Sequence, residues 1–370
     1  MGVAVGAGRV ETASGARIDQ AGEQRLARIE SLRALAALGV LIGHAWGAHY
    51  VFGHGALRSL PARTIFGGGY GVYVFFALSG YLLYRPLAAA TFGGERVDLR
   101  RYAINRLLRT LPLYYAVVIV LLVVQEGGGT LGQWWRFLTL TENLFRSTAL
   151  TVDGPIWSLI VELQFYALLP FVAFGLARVA RGNRRNAALI LLAGGLAGVA
   201  LRHLLINHRH TSDPRVIYSL LTTAFFFVPG MLLALVREVR LPRILRHSDV
   251  WLLASLPVWL FIFEDYSRTS WAAVASFLVV GGAALPLRQG VLVRALDWRP
   301  LALIGVASYS LYLWHLPILE SLTRHHGRGW PLLAGGMAIS LLVAFASYRL
   351  IEAPFLRLRR RWSSSAYSPR

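Results

Sequence analysis

His44 stands inside an apolar run, SLRALAALGVLIGHAWGAHYVF, eleven residues after Arg33. On a helix, eleven residues are about three turns, roughly 1100°, so Arg33 and His44 share one face about 16 Å apart. Arg33 then sits near one end of the run and His44 well inside it. A neutral imidazole at such a place can accept a proton from a hydroxyl near neutral pH, which is the chemistry of a general base. The competing reading is a buried histidine bonded to a neighbouring helix; for Arg33 it is an ordinary charge at a helix end.

Four further stretches carry chemistry. In RRYAINRLLRTLPLYY, Arg106 and Arg109 are three apart and share a face, with Arg100 and Arg101 just before them and Pro112 able to bend the helix beyond. Two permanently charged forks suit phosphate or pyrophosphate, or else anchor the chain to anionic lipid. In DGPIWSLIVELQFY, Pro155 suits a helix start, Trp157 and Ser158 follow, and Glu162 and Gln164 intrude on an apolar span. A carboxylate there needs a partner, a proton or water, so Glu162 either orients the histidine or locks helices together. Asp153, before the span, reads as a solvated cap or a substrate contact.

In IGVASYSLYLWHLPILE, Ser308, Tyr309, Ser310, Tyr312 and His315 precede Pro317. They can orient a sugar hydroxyl or simply hydrogen-bond across packed helices. Glu352, in ASYRLIEAPFLR, lies among Arg349 and Arg357 and either holds the basic cluster or forms an interfacial salt bridge. His, Asp and Glu do not recur at spacings that would close a metal site, and there is no cysteine, so disulfide, thiolate and iron–sulfur chemistry are excluded.

The elements that must position these groups are membrane helices. The chain has 370 residues, 56% of them hydrophobic, with eleven tryptophans and a mean hydropathy of +0.52. The net charge of +20 is carried by arginine without a single lysine. In a soluble chain that balance would point to nucleic acid; here the charges fall between apolar spans, which favours membrane topology, contact with membrane lipids and an anionic ligand, with no nucleic-acid partner. We expect an all-α, polytopic bundle of ten transmembrane helices at about 31–52, 68–87, 105–124, 156–177, 187–206, 216–236, 249–264, 270–287, 300–320 and 331–352. The seventh and eighth are short and can instead form a re-entrant pair. Arginines gather on alternate connections, which predicts both termini in the cytoplasm. Residues 1–24 lack a long apolar core and read as a cytoplasmic tail, not a cleaved signal peptide. Segment 125–155, with its Trp134–Trp135 pair, is the longest outer connection and either lies in the interface or covers a substrate site.

The same stretches carry a family pattern. The chain resembles the acyltransferase-3 family of integral membrane O-acyltransferases, through RIESLRALAALGVLIGHAW, GGYGVYVFFALSGYLLYRP, YAINRLLRTLPLYY, DGPIWSLIVELQFYALLP, LIGVASYSLYLWHLPIL and SYRLIEAPF. They run in family order from about residue 28 to 356. The family's Arg-x10-His pattern falls on Arg33 and His44, its Arg-x-x-Arg on Arg106 and Arg109, and its late Glu-x-Pro on Glu352 and Pro354. Two positions depart from it: the second acidic residue of WSLSVEEQFY is Leu163, and Tyr73 replaces the acidic residue often found before the double Phe.

The resemblance implies transfer of an acyl group, commonly acetyl, from a coenzyme A thioester to a hydroxyl of a sugar, glycan or glycosylated metabolite. It implies no tightly bound cofactor. Acyl-CoA, as donor, would dock its phosphates on Arg106 and Arg109 with Arg33 and Arg101 as helpers. His44 would act as base, or as the site of an acyl-histidine intermediate, with Glu162 beside it; Asp153, Trp157, Ser310, Tyr312, His315 and Glu352 would support substrate or structure. The expected organisation is a tail at 1–27, a membrane acyltransferase domain at 28–356 and a basic tail at 357–370, in a bacterial cytoplasmic membrane. About fifteen residues follow the last span, so the hydrolase-like extension of many relatives would be absent or supplied in trans. A transporter or flippase for an anionic or glycosylated substrate is the other class these ions fit; the missing internal repeat weighs against it. Oligomeric state leaves no mark in the sequence.

Overall fold

The computed structural model describes residues 13–47, 59–236, 241–327 and 329–364. The chain is all-α there; the one isolated bridge, His247 with Arg288, begins no sheet. Helix α1 (Ala13–Trp46) starts well before the expected residue 31. Its first half is fixed by polar contacts: Arg28, buried, donates to Asp297 at 2.7 Å and to Gln289 at 2.8 Å, and Ser31 Oγ donates to the Leu296 carbonyl at 2.6 Å. Those bonds set the rotation of α1 and hence where Arg33 and His44 face.

A short α2 (Leu60–Phe66), begun by Ser59 and a proline in its first turn, runs through a 3-10 turn into α3 (Gly71–Gly93), which ends at Gly94 with φ of 73°. Only glycine adopts that left-handed cap without cost. Asp98 starts α4 (Leu99–Val124) by accepting from the Arg101 backbone N–H, and the Thr130–Gln133 capping box starts α5 (Leu131–Leu138). Next come α6 (Ile156–Val179) and α7 (Arg184–Arg202), the latter running into a π turn at His203–His208.

The rest of the bundle is more broken. Helices α8 (Pro214–Ile217), α9 (Leu220–Thr223) and α10 (Val228–Leu235) replace the single span expected at 216–236. Helices α11 (Ser248–Glu264), α12 (Ala272–Ala284), α13 (Val291–Ala295) and α14 (Arg299–Val306) precede α15 (Ser308–His326). Finally α16 (Trp330–Ser347) passes through a π turn at Tyr348–Glu352 into α17 (Ala353–Ser364).

This architecture corrects the ten-helix expectation. Among the described residues, five helical stretches are long and apolar enough to cross a membrane: Leu60–Gly93, Leu99–Val124, Ile156–Val179, Arg184–His208 and Leu333–Leu358. The bent pair α14–α15, with 69° between its halves, makes six if it counts as one span. Length is the physical reason. A bilayer core of about 30 Å needs about 20 helical residues, whereas α12 has 13 and α11 has 17 with Pro257 inside it. In α1 the charges of Arg25, Arg28, Glu30 and Arg33 leave, among the described residues, 34–46 as the apolar helical stretch, about 20 Å of helix. The expectation for the termini falls on residues 1–12 and 365–370, which lie outside the described residues.

Helices in lipid gain little from the hydrophobic effect and associate by close packing at small residues. A Cβ on Gly230 of α10 would lie 1.8 Å from the Ala77 carbonyl oxygen of α3, and one on Gly305 of α14 would lie 1.8 Å from that of Glu30 in α1. Both contacts are therefore backbone against backbone. Around them Phe165 stacks on Phe227 at 3.8 Å and Phe76 on Phe227 at 4.6 Å, completing a buried core of α3, α6, α10 and α12. Segment 125–155 is pinned to this bundle. Tyr114 donates to the Phe137 carbonyl at 2.8 Å and Tyr115 to that of Leu138 at 3.1 Å.

Candidate functional site

Helices α1, α3, α4, α6 and α15 enclose a cavity of about 310 Å³. Its polar wall holds Arg33, Arg106, Arg109, Glu30, Glu162 and Tyr166, with Ser79, Ser158 and the start of α15 at Ser308, Tyr309 and Tyr312. The three-residue spacing brings Arg106 and Arg109 to one wall of it. Glu30 Oε2 lies 3.7 Å from Arg33 Nη1 and has no hydrogen-bond partner, whereas Glu162 accepts a hydrogen bond from Ser79. Unpartnered polar atoms of both kinds remain, Glu30 Oε2 and, behind the wall, Glu352 Oε1 among the acceptors. Arg106 Nε is buried without a hydrogen-bond partner, and so is Ser308 Oγ at the first residue of α15.

The break between α14 and α15 adds a helix start to this wall. Ala307 caps α15 without a side-chain hydrogen bond, so the positive end of a 19-residue helix opens beside three guanidinium groups. Discontinuous helices present anion-binding ends inside membranes in this way. Tyr309 holds the arrangement by donating to the Thr110 carbonyl of α4 at 2.8 Å. Behind it Glu352 is buried, accepts from Ser310 at 3.1 Å, and lies within electrostatic range of Arg109 and Arg33.

His44 is not on this wall. Its Nδ1 lies 2.8 Å from Nε2 of His315, with the rings stacked at 5.1 Å. His315, 1% exposed, places its own Nδ1 2.7 Å from the Tyr312 carbonyl and 3.2 Å from that of Leu311. Carbonyls only accept, so in the neutral pair His315 Nδ1 carries the proton and its Nε2 accepts from His44 Nδ1. That leaves the lone pair on Nε2 of His44, which accepts no hydrogen bond among the described residues. His44 lines a second cavity, of about 600 Å³, together with Gly47, Phe66, Leu316, Glu320, Thr323 and Arg324.

Tyr312 lines the arginine cavity and also stands near the histidine pair. Its hydroxyl bonds Ser158 Oγ at 2.7 Å on the arginine side, and its ring stands 5.8 Å from His315 and 5.9 Å from Phe75.

The structure thus gathers Arg33, Arg106, Arg109, Glu162 and Tyr312 round one cavity and pairs His44 with His315 beside another. Ser310 and Glu352 form the support behind the arginines. Arg101 stays apart: its side chain is exposed and it does not line the cavity. Asp153 and Trp157 lie elsewhere too, round a small pocket with Glu142, Asn143 and Tyr218. Asp153 is buried, not a solvated cap, and both its carboxylate oxygens lack a partner, as do those of Glu142. Burial pushes the Glu142 carboxyl up to about 8. Burial, and to a lesser degree Glu320, raises that of Asp153 well above the carboxylate range. Sequence reasoning missed Glu30, Ser79 and Tyr166, and on the other side Phe66, Glu320 and Arg324. Glu30 three before Arg33 and Glu320 four before Arg324 were the available signals. Among the described residues no three His, Asp or Glu side chains cluster as a metal would need.

Apolar spans wrapped round ion-bearing cavities define an integral, multi-pass membrane protein. Residues 26–349 match the model of the acyltransferase-3 family, described as an acyltransferase domain, and the chain belongs to that family. It is 26% identical over 359 residues to the O-acetyltransferase OatA of Staphylococcus aureus (strain NCTC 8325 / PS 47), covering 88% of this chain and 56% of that protein. It is 28% identical over 364 residues to the protein named "Putative peptidoglycan O-acetyltransferase YrhL" of Bacillus subtilis (strain 168), covering 88% and 54%. The chain therefore spans about half the length of these curated relatives. No solved structure matches it.

Proposed function

We propose that the protein transfers an acyl group, acetyl in the first instance, from acyl-CoA to a hydroxyl of a glycan or glycosylated molecule. The single observation that carries this reading is the lone pair on Nε2 of His44, set by the hydrogen bond from His44 Nδ1 to His315. The names of OatA and YrhL support the same class of reaction.

The arginine cavity suits the donor. Arg106 and Arg109 supply bidentate forks for phosphate oxygens, the orphaned Nε of Arg106 and the start of α15 lack acceptors, and Arg33 adds a third guanidinium. The thioester end passes Tyr312 and Phe75 to reach the histidines. The acceptor hydroxyl then attacks the thioester carbonyl while His44 Nε2 takes its proton. The carbon–sulfur bond breaks, a carbon–oxygen ester bond forms, and the proton returns from His44 to the departing thiolate. His315 holds His44 in the tautomer this step needs. Glu162 positions Ser79 in the donor cavity, and Glu352 balances the charge of Arg33 and Arg109.

Purified protein in lipid nanodiscs, given acetyl-CoA labelled in the acetyl group and a panel of glycans, tests this reading. Labelled ester on a glycan, with free coenzyme A released in equal amount, is the expected result. Acetyl-CoA left intact with every acceptor would overturn it.

A further inference from the structure

We propose that α5 is an interfacial helix that seats segment 125–155 on the surface of the bilayer, with Leu131, Trp135 and Leu138 among the acyl chains of one leaflet. These three residues recur at i, i+4 and i+7 and fall within about 60° of one another round the helix. They are 83%, 44% and 39% exposed, whereas Phe137, on another face, is buried in one cluster with Tyr114 and Ile156. Bonds to α4 and the turn before α5 fix this rotation. Besides the two tyrosines, Gln125 Nε2 donates to Gln133 Oε1 at 3.0 Å and Trp134 Nε1 to the Gly128 carbonyl at 2.9 Å. The apolar stripe therefore stays outward.

Three observations name lipid as the occupant. First, the stripe continues a surface that already faces it: α4 is long and apolar enough to cross a membrane, and Ile119, Val120, Val123 and Val124 stand exposed in its last two turns. Ile119 lies one turn beyond Tyr115, which holds the end of α5 through the Leu138 carbonyl. Second, the eight residues of α5 make about 12 Å, too short to cross. The irregular chain that follows, with Thr139, Arg146 and Ser147 exposed, has no place in hydrocarbon. Those two limits set α5 at the boundary, along the leaflet. Third, Arg136 turns away from the stripe, lies 4.1 Å from the Phe145 ring and donates to Ser147, so a cation stands on the headgroup side of an indole-bearing apolar face. The seat bears on the site. Phe137 packs with Ile156, the first residue of α6, two before the Ser158 that bonds Tyr312 at the arginine cavity. The leaflet thus braces the start of α6.

The chain has no cysteine, so Leu131→Cys, Gly132→Cys and Leu138→Cys each take one spin label in the full chain, held in phosphatidylcholine–phosphatidylglycerol nanodiscs. Gly132 lies about 100° round the helix from Leu131, and a Cβ there meets nothing closer than 3.8 Å. Electron paramagnetic resonance with oxygen and a water-soluble nickel chelate as relaxing agents reads the surroundings of each label. Labels at 131 and 138 are more accessible to oxygen than to the chelate, and the label at 132 shows the reverse order. Chelate reaching 131 and 138 as freely as 132 overturns the proposal, because the stripe then faces water. Shielding of 131 and 138 from both agents overturns it in favour of a protein partner, and oxygen preference at all three in favour of a submerged helix.

Discussion

Nδ1 of His44 and Nε2 of His315, 271 residues apart in the chain, lie 2.8 Å from each other, and the backbone carbonyl of Tyr312 fixes which of the two carries the proton. The pair makes one residue's basicity depend on another that faces neither cavity. Partners that orient metal-bound histidines contribute about 10- to 100-fold, and we take the same scale for this pair. We expect His315→Ala to lower kcat by about that factor with little change in the donor KM. His315→Gln, whose amide oxygen can accept from His44 Nδ1, should recover part of the loss. Steady-state kinetics of the three proteins, with matched yields of folded material, check this.

The arginine cavity makes a different prediction. Removing one charge-assisted contact to phosphate costs about 1.5–3 kcal/mol, so Arg106→Ala or Arg109→Ala should raise the acetyl-CoA dissociation constant by roughly 10- to 100-fold. Lysine keeps the charge but not the fork, and Arg106→Lys should recover less than half of that free energy. Competition binding with unlabelled coenzyme A, repeated at two salt concentrations, reads the effect.

Glu142 predicts a pH dependence outside the membrane spans. Its folded-state value of about 8 stands above the ordinary 4.5, so between those values the folded chain keeps a proton that the unfolded chain loses. Stability therefore falls as pH rises through about 4.5 and stops falling near 8. Asp153, raised by burial in the same pocket, acts in the same direction. Thermal unfolding in detergent from pH 5 to 9 should show this decline, and Glu142→Gln should flatten most of it.

Gly305 is a packing prediction. Its added Cβ would fall 1.8 Å from the Glu30 carbonyl oxygen, and backbone cannot yield as a side-chain tip can. Gly305→Ala should cost about 1–3 kcal/mol of stability and displace Arg33, which shares α1 with Glu30. A lowered unfolding temperature together with a weakened donor affinity is the expected pair of effects.

Much of this molecule was legible in its sequence, and the limits have physical causes. Ionisable residues in apolar runs betray themselves by their cost, which is why Arg33, His44, Arg106, Arg109 and Glu162 stand out. Periodicity located most helices, but a span count needs continuity. Nothing in IGVASYS announces the 69° break between α14 and α15, and a π turn such as Tyr348–Glu352 leaves no mark on an apolar pattern. Long-range pairing was also hidden. The sequence set Arg33 and His44 on one face of α1 at different depths, but not the partners that α15 brings to each: Ser308, Tyr309 and Tyr312 to the cavity of Arg33, and Leu316, Glu320 and Arg324 to that of His44. Asp153 misled for a related reason: a residue before a helix reads as solvated until segment 125–155 folds over it.

The most direct test of the account is acetyl transfer by His44→Ala beside the wild type, measured under single-turnover conditions with labelled acetyl-CoA and an acceptor glycan. Loss of a general base costs about 10²- to 10⁴-fold. The account predicts a loss of that size with acetyl-CoA affinity unchanged, since His44 does not line the arginine cavity. Transfer at the wild-type rate in His44→Ala would contradict it.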